Sequence, residues 1–248
     1  MASNKERLDI ALVRRELAPS RERARALIMA GQVYLGDRVV DKPGTLVAPD
    51  ADVRLAETPE ELKYVSRGGL KLEKALETFH LEPAGLVALD VGASTGGFTD
   101  CLLQHGAKRV YAIDVGRAQL AWKLRNDSRV VVMEHTNIRN VSSLPEVIEC
   151  AAIDVSFISL RLVLPAIVPL LAHGAWVVAL VKPQFEAGKA EADRGAGIIT
   201  DPAVHERVLN ELQGWIREHT PFLIKGLTDS PIYGREGNRE FLLHLSLG

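Results

Sequence analysis

Three groups of residues in this chain have the type and placement to do chemistry. The first is the run Leu89-Asp90-Val91-Gly92-Ala93-Ser94-Thr95-Gly96-Gly97-Phe98, an acid at the end of an apolar stretch followed by closely set glycines. Glycines between a strand and a helix let backbone approach a ligand closely and leave helix-terminal amides to bind it. The run is not the dinucleotide fingerprint Gly-x-Gly-x-x-Gly, which would need glycine at Ser94. A carboxylate directly before the loop also sits badly beside a pyrophosphate. It suits a cationic ligand such as S-adenosylmethionine, which carries an ammonium and a sulfonium. Asp114, seventeen residues beyond Gly97, ends the next apolar run, where an acid accepts hydrogen bonds from a ribose diol. An ordinary tight turn capped by Asp90 is the plainer alternative for the loop alone; adding Asp114 favours a nucleoside cofactor.

The second group is a pair of charges that follow buried runs. Asp154 follows Ala151-Ala152-Ile153, and Lys182 follows the apolar stretch through Val181. In open α/β sheets, ligands bind outside the carboxyl ends of strands. One charge there is ordinary punctuation, whereas two beside a cofactor loop point to a site. The third group is basic. Residues 1–30 hold seven cations against four acids, while residues 31–60 come to a net charge of −3. A local basic face on a nearly neutral chain fits RNA or phosphate, or else a solvated helix face.

These groups need elements to position them, and the chain divides in two. In residues 1–60, Leu8, Leu12 and Val13 repeat at helical spacing, and a second helix starts at Pro19-Ser20 and ends at Gly31. Val33, Leu35, Val39, Val40, Val53 and Leu55 then predict short strands. Residues 61–66 close a polar linker that begins near residue 56. From residue 67 to 248 helix and strand alternate. Helices are expected at Leu70–Phe79, from Phe98, around Ala118–Leu124 and at Pro202–Glu218. Strands are expected at Val87–Asp90, Val110–Asp114, Val130–Met133, Ala151–Asp154, Trp176–Val181, Leu223–Leu227 and Phe241–Leu245. Repeated βα units predict an α/β fold with a doubly wound, mostly parallel sheet.

Composition excludes several classes. Apolar residues make up 47% and charged residues 25%, with a net charge of −2, which excludes a disordered tail or a fibrous protein. Cys101 and Cys150 have no metal-ligand spacing, so no metal site and no disulfide framework are expected. Leu162 to Val181 is long enough for a membrane span, yet Pro165, Pro169 and His173-Gly174 break it into helix, turn and strand. With no apolar signal core at residues 1–7, a cytoplasmic protein is expected. The seven histidines show no ligand spacing, Trp122 and Trp176 read as core, and Trp215 lies in an amphipathic helix. A long loop over 183–200, with Lys189 and Arg194, follows Lys182.

Several ordered motifs together resemble one family. They are Ser66-Arg67-Gly68-Gly69-Leu70-Lys71-Leu72, Asp90 to Thr99, Thr136-Asn137-Ile138-Arg139, Asp154-Val155-Ser156-Phe157-Ile158-Ser159-Leu160, Val181-Lys182-Pro183-Gln184-Phe185-Glu186 and Gly237-Asn238-Arg239-Glu240-Phe241. They are similar to the TlyA family, whose members are S-adenosylmethionine-dependent rRNA 2′-O-methyltransferases of the FtsJ type, often called hemolysins. Thr95, where FtsJ itself has proline, favours the TlyA branch. The run from Arg7-Leu8-Asp9 to Gly31-Gln32-Val33 resembles the S4-type RNA-binding domain.

The resemblance implies a catalytic Lys-Asp-Lys-Glu tetrad at Lys71, Asp154, Lys182 and Glu240. It implies cofactor contacts from Asp90, Gly92, Ser94, Gly96, Gly97, Asp114 and Asn137, and RNA contacts from Arg7, Arg21, Arg25 and Lys42. The implied substrate is a ribose 2′-hydroxyl of ribosomal RNA, at a cytidine, on rRNA or a ribosomal subunit, with no DNA or membrane partner. Lys182 would orient that hydroxyl or, with its pKa lowered by Lys71, act as its base. Asp154 and Glu240 would hold the two ammonium groups. The competing functions are a membrane-active hemolysin and a non-catalytic RNA-binding protein.

Overall fold

The computed structural model describes residues 5–29, 31–36, 38–55, 63–188, 191, 197–234 and 237–248. Residues 56–62, which open the expected linker, and Lys189 and Arg194 of the 183–200 loop lie outside them. The chain forms two compact units, Met1–Arg67 and Gly68–Gly248.

In the first unit, helices α1 (Leu8–Arg14) and α2 (Arg21–Met29) bury Leu8, Ala11, Leu12, Ala24, Leu27 and Ile28 against one another and against Val33 and Val47. The Ser20 hydroxyl accepts from the Arg23 amide and caps α2, and Gly31 leaves the helix at φ +71°. Strand β1 (Glu6–Arg7) pairs antiparallel with β4 (Leu46–Val47). Strands β2 (Val33–Leu35), β3 (Arg38–Val39) and β5 (Val53–Leu55) form a second sheet in the order β3-β2-β5. Sequence periodicity misses β1 because two residues carry no period; only the partner strand defines it.

The second unit is a sheet flanked by helices. Its strands are β6 (Val87–Val91), β7 (Arg109–Ile113), β8 (Val130–Met133), β9 (Ile148–Ile153), β10 (Leu171–Val181), β11 (Phe222–Asp229) and β12 (Phe241–Leu247). The order across the sheet is β11-β12-β10-β9-β6-β7-β8. Strands β6 to β10 are mutually parallel, and β12 runs antiparallel to both β10 and β11. From β6 the chain builds outward through β7 and β8, then returns to β9 on the other side. That reversal places a switch point at the carboxyl ends of β6 and β9, where ligands bind in such sheets. Cys150, Ala151, Ala152 and Ile153 of β9 are fully buried, as a central parallel strand covered on both faces requires. Helices α6 (Leu160–Ile167) and α8 (Pro202–His219) cover the face that carries Val177, Ala179 and Val181. Helices α3 (Gly68–Phe79) and α4 (Gly97–Gln104) pack together against β12 and β6.

Three expectations are corrected. The helix around Ala118–Leu124 shrinks to α5 (Trp122–Arg125), because Ala118 takes φ +53° and the chain loops until Trp122. Leu120 and Leu124 fill the space beside Gly96, so Trp122 is not core but 77% exposed on the opposite side. Gly174 bends at φ +78° within β10 rather than ending a turn before it, and the β9 register shifts there. No helix of the described residues is long and apolar enough to cross a membrane.

Candidate active site

The site grows from the carboxyl edge of the parallel strands. Asp90 lies inside β6, fully buried; its Oδ2 accepts from the Thr99 hydroxyl at 2.6 Å, while Oδ1 has no hydrogen-bond partner. Burial, with the charges of Asp154 and Asp114 adding to it, raises this carboxyl to about 7. An orphaned buried acceptor of this kind is an invitation to a cationic or hydrogen-bonding ligand. The chain then turns through Gly92 at φ +86° and Gly96 at φ +98° into α4. A Cβ on Gly92 would lie 2.4 Å from the Asp154 carbonyl oxygen, and one on Gly96 would lie 2.3 Å from Leu124 Cδ1. Backbone excludes a side chain at Gly92; at Gly96 the neighbours are leucine side-chain ends that can shift, and the positive φ is what favours glycine.

Asp114 follows β7 and holds the same loop. Its Oδ2 accepts from the Ser94 amide at 2.8 Å and its Oδ1 from the Gly116 amide at 2.6 Å. Glu134, directly after β8, repeats the pattern: amides of Ala118, Gln119 and Leu120 and the Arg125 guanidinium bind its carboxylate and hold it down at about 2. The sequence reading passed over Glu134, although an acid immediately after an apolar run is the same signal that identified Asp114 and Asp154. Asn137 caps the short turn Ile138–Asn140 by accepting from the Arg139 amide. Asp90, Gly92, Ser94, Gly96, Gly97 and Asp114 therefore form one continuous cradle. The free Oδ1 of its buried acid, its glycine turns and its edge carboxylate fit S-adenosylmethionine.

Beside this cradle, four charged residues form two ion pairs. Lys182 follows β10 and places Nζ 2.6 Å from Asp154 Oδ1, at the end of β9. Lys71, in α3, pairs with Glu240, which immediately precedes β12. Both lysine side chains are 10% exposed. Sheet register explains the convergence. Val181 pairs with Phe241 and Ala179 with Ile153, so Lys182 and Glu240 lie one step beyond the last antiparallel rung, and Asp154 one step past its parallel one.

Three residues near Lys182 lie within the quoted motifs but were given no role from sequence. The Ser156 hydroxyl accepts from Lys182 Nζ at 2.9 Å. Phe157, 90% exposed at φ +64°, sits against Phe185 with ring centroids 5.1 Å apart. Glu186, in the turn α7 (Pro183–Glu186), accepts from Ser159 Oγ at 2.6 Å and the Leu160 amide at 2.7 Å. Burial raises the Glu186 carboxyl, so these bonds are made in a largely desolvated setting.

In the first unit, Asp9 is fully buried and binds two guanidinium groups. Arg7 reaches it through Nε at 3.0 Å and a second nitrogen at 3.1 Å, and Arg21 reaches it at 3.0 Å. Those bonds lower the Asp9 carboxyl below the usual range. Arg25 is exposed on α2, and Lys42 is exposed in the turn before β4, where its carbonyl accepts from Thr45.

Comparison with known proteins agrees with this geometry. The family described as FtsJ-like methyltransferase matches residues 64–247, and the S4 domain matches residues 6–53. A Bacillus subtilis protein named "Putative rRNA methyltransferase YqxC" is 52% identical over 99% of this chain and 87% of its own. The 16S/23S rRNA (cytidine-2′-O)-methyltransferase TlyA of Mycobacterium tuberculosis is 44% identical over 98% of this chain and 90% of its own. A solved structure titled "Putative hemolysin from Streptococcus thermophilus" is 47% identical with a TM-score of 0.76, covering 99% of this chain and 90% of that one. The chain belongs to the FtsJ-like methyltransferases, in the TlyA branch that carries an S4 domain ahead of the methyltransferase fold.

Proposed function

We propose that this protein methylates a ribose 2′-hydroxyl of ribosomal RNA, at a cytidine, using S-adenosylmethionine. The observation that carries the reading is the convergence of Lys182–Asp154 and Lys71–Glu240 beside the Asp90 cradle. Asp90, the loop from Gly92 to Gly97 and Asp114 would hold the cofactor, with Asn137 beyond β8 as a further contact. When bound, the cofactor supplies a methyl group already activated on a sulfonium. What remains for the chain is to place and charge-compensate a weakly acidic hydroxyl. Lys182, paired with Asp154, orients the attacking oxygen and offsets the negative charge that grows on it as the carbon–oxygen bond forms, the sulfonium–methyl bond breaks and the hydroxyl proton passes to water. Lys71, paired with Glu240, adds a second positive group without leaving a bare cation in a buried setting. Positioning of this kind supplies a large share of the rate when one reactant is already activated.

RNA as substrate is supported from both units. The exposed Phe157 with Phe185 offers a stacking surface for an unstacked base beside Lys182. The S4-type unit presents Arg7, Arg21, Arg25 and Lys42, suited to phosphate contacts that supply affinity without reading sequence. The test is transfer of radiolabelled methyl groups to intact ribosomes, separated subunits and naked rRNA, followed by nucleoside analysis. Label in 2′-O-methylcytidine is the expected result. Label on a base, or none on any RNA, would overturn the reading.

A further inference from the structure

Lys182 has three N–H donors, and an ammonium that swings freely among acceptors aims none of them. One donor goes to Ser156 Oγ at 2.9 Å, and the ammonium makes an ion pair with Asp154 Oδ1 at 2.6 Å. The N–H held by Ser156 sets the rotation about the Cε–Nζ bond, and with Asp154 close on one side the remaining directions follow. The side chain of Lys182 is only 10% exposed.

The hydroxyl that fixes this rotation is itself held. Ser156 sits in the five-residue stretch between Asp154 and the start of α6. At one end the Asp154 amide donates to the Val91 carbonyl at 2.9 Å, tying the stretch to β6. At the other end Glu186 binds both Ser159 Oγ and the Leu160 amide. Between them Phe157 adopts φ +64°, a left-handed turn that a bulky residue takes only under constraint. Since Glu186 lies four residues after Lys182, the same short segment carries the lysine and anchors the loop that orients it.

We propose that Ser156 is a positioning residue that completes the centre: its hydroxyl accepts one N–H of Lys182 and so directs the remaining N–H at the acceptor ribose oxygen. This rests on the methyltransferase reading above. A serine hydroxyl contributes here only through Lys182, and that gives the role a signature that loop packing lacks.

The experiment is a cycle of Ser156→Ala, Lys182→Ala and the double variant, with Ser156→Thr alongside, read by single-turnover methyl transfer to rRNA. Ser156→Ala should slow transfer about tenfold, the loss expected for one hydrogen bond to a charged group. Affinities for S-adenosylmethionine and for rRNA should stay within about twofold, because neither ligand is held by Lys182 alone. Ser156→Thr, which keeps the hydroxyl, should recover the rate to within about threefold of the wild type. In the Lys182→Ala background the Ser156→Ala change should cost less than about twofold, since the partner it acts on is gone. A wild-type rate in Ser156→Ala, or an equal loss with and without Lys182, would overturn the proposal while leaving the methyltransferase reading intact. A wild-type chain that methylates no rRNA would remove that reading, and the proposal with it.

Discussion

Gly92 and Asp154 touch through backbone: a Cβ on the glycine would stand 2.4 Å from the aspartate's carbonyl oxygen. The cradle and the Lys182 ion pair are thus built against each other rather than merely side by side. Backbone cannot move aside as a flexible side chain can, and φ +86° adds strain for any other residue. Gly92→Ala should therefore destabilise the protein by about 2–4 kcal/mol and weaken cofactor binding together with it. Thermal denaturation and calorimetry on the same preparation check this. An unchanged midpoint with unchanged affinity would show that the contact is not rigid.

Lys182→Ala should lower the methyl-transfer rate by about two to four orders of magnitude, the range for a group acting directly at a proton-transfer centre. Cofactor affinity should change little, as the cradle lies on other elements. Lys182→Arg should not restore the rate, because a planar guanidinium cannot occupy the point between Asp154 and Ser156 that an ammonium fills. Single-turnover transfer to rRNA is the measurement.

Asp90 makes the protein sensitive to pH near neutrality. Its folded-state value of about 7 lies above the ordinary 3.8, so the folded chain binds this proton more tightly than the unfolded chain. Stability should fall as pH rises across that window and level off above it. A cationic cofactor favours the carboxylate, so its affinity should rise as pH passes from about 6 to about 8. Asp90→Asn should flatten both trends. A pH-independent affinity in the wild-type protein, by calorimetry, would dissociate Asp90 from the cofactor.

The arginines of the first unit should separate into two kinds. Arg25→Ala removes an exposed cation, and should weaken rRNA binding and reduce the salt-dependence slope by about one unit. Arg21→Ala should do the same and also lower stability, since Asp9 is fully buried and loses one of its two guanidinium partners. Filter binding across a salt series, with thermal melts, distinguishes them. Equal melting temperatures for the two variants would mean that the Asp9 pair with Arg21 is not structural.

The hemolysin name carried by similar proteins is open to a direct check. On the methyltransferase reading, purified protein at micromolar concentration should leave liposomes and erythrocytes intact. Dose-dependent leakage would revive the membrane-active reading.

Much of this was legible in sequence because it depends on local signals. The strands around Val87, Val110, Val130, Ala151, Trp176, Leu223 and Phe241 announce themselves as apolar or β-branched stretches, and Asp90, Asp114 and Asp154 as acids that end or follow such stretches. What escaped was decided by distant partners. Trp122 reads as core on composition, yet Leu120 and Leu124 take the available space beside Gly96. Nothing in the spacing of Lys71, Asp154, Lys182 and Glu240 says which lysine takes which acid; the fold does, setting Lys71 of α3 on Glu240 and leaving Lys182 to Asp154. Ser156 and Glu186 gain their importance from a loop closed across 26 or 27 positions of sequence.

Because β12 enters the sheet where β10 leaves it, the distance from Glu240 to its neighbours is counted in rungs of a ladder. A slip of one residue would turn every apolar side chain of β12 to the wrong face, and a slip of two would carry Glu240 about 7 Å along the strand. Leu243 and Leu245, fully buried, therefore act as the vernier of the active centre. A change of shape at those leucines would be felt at Glu240 as well as in the core they fill.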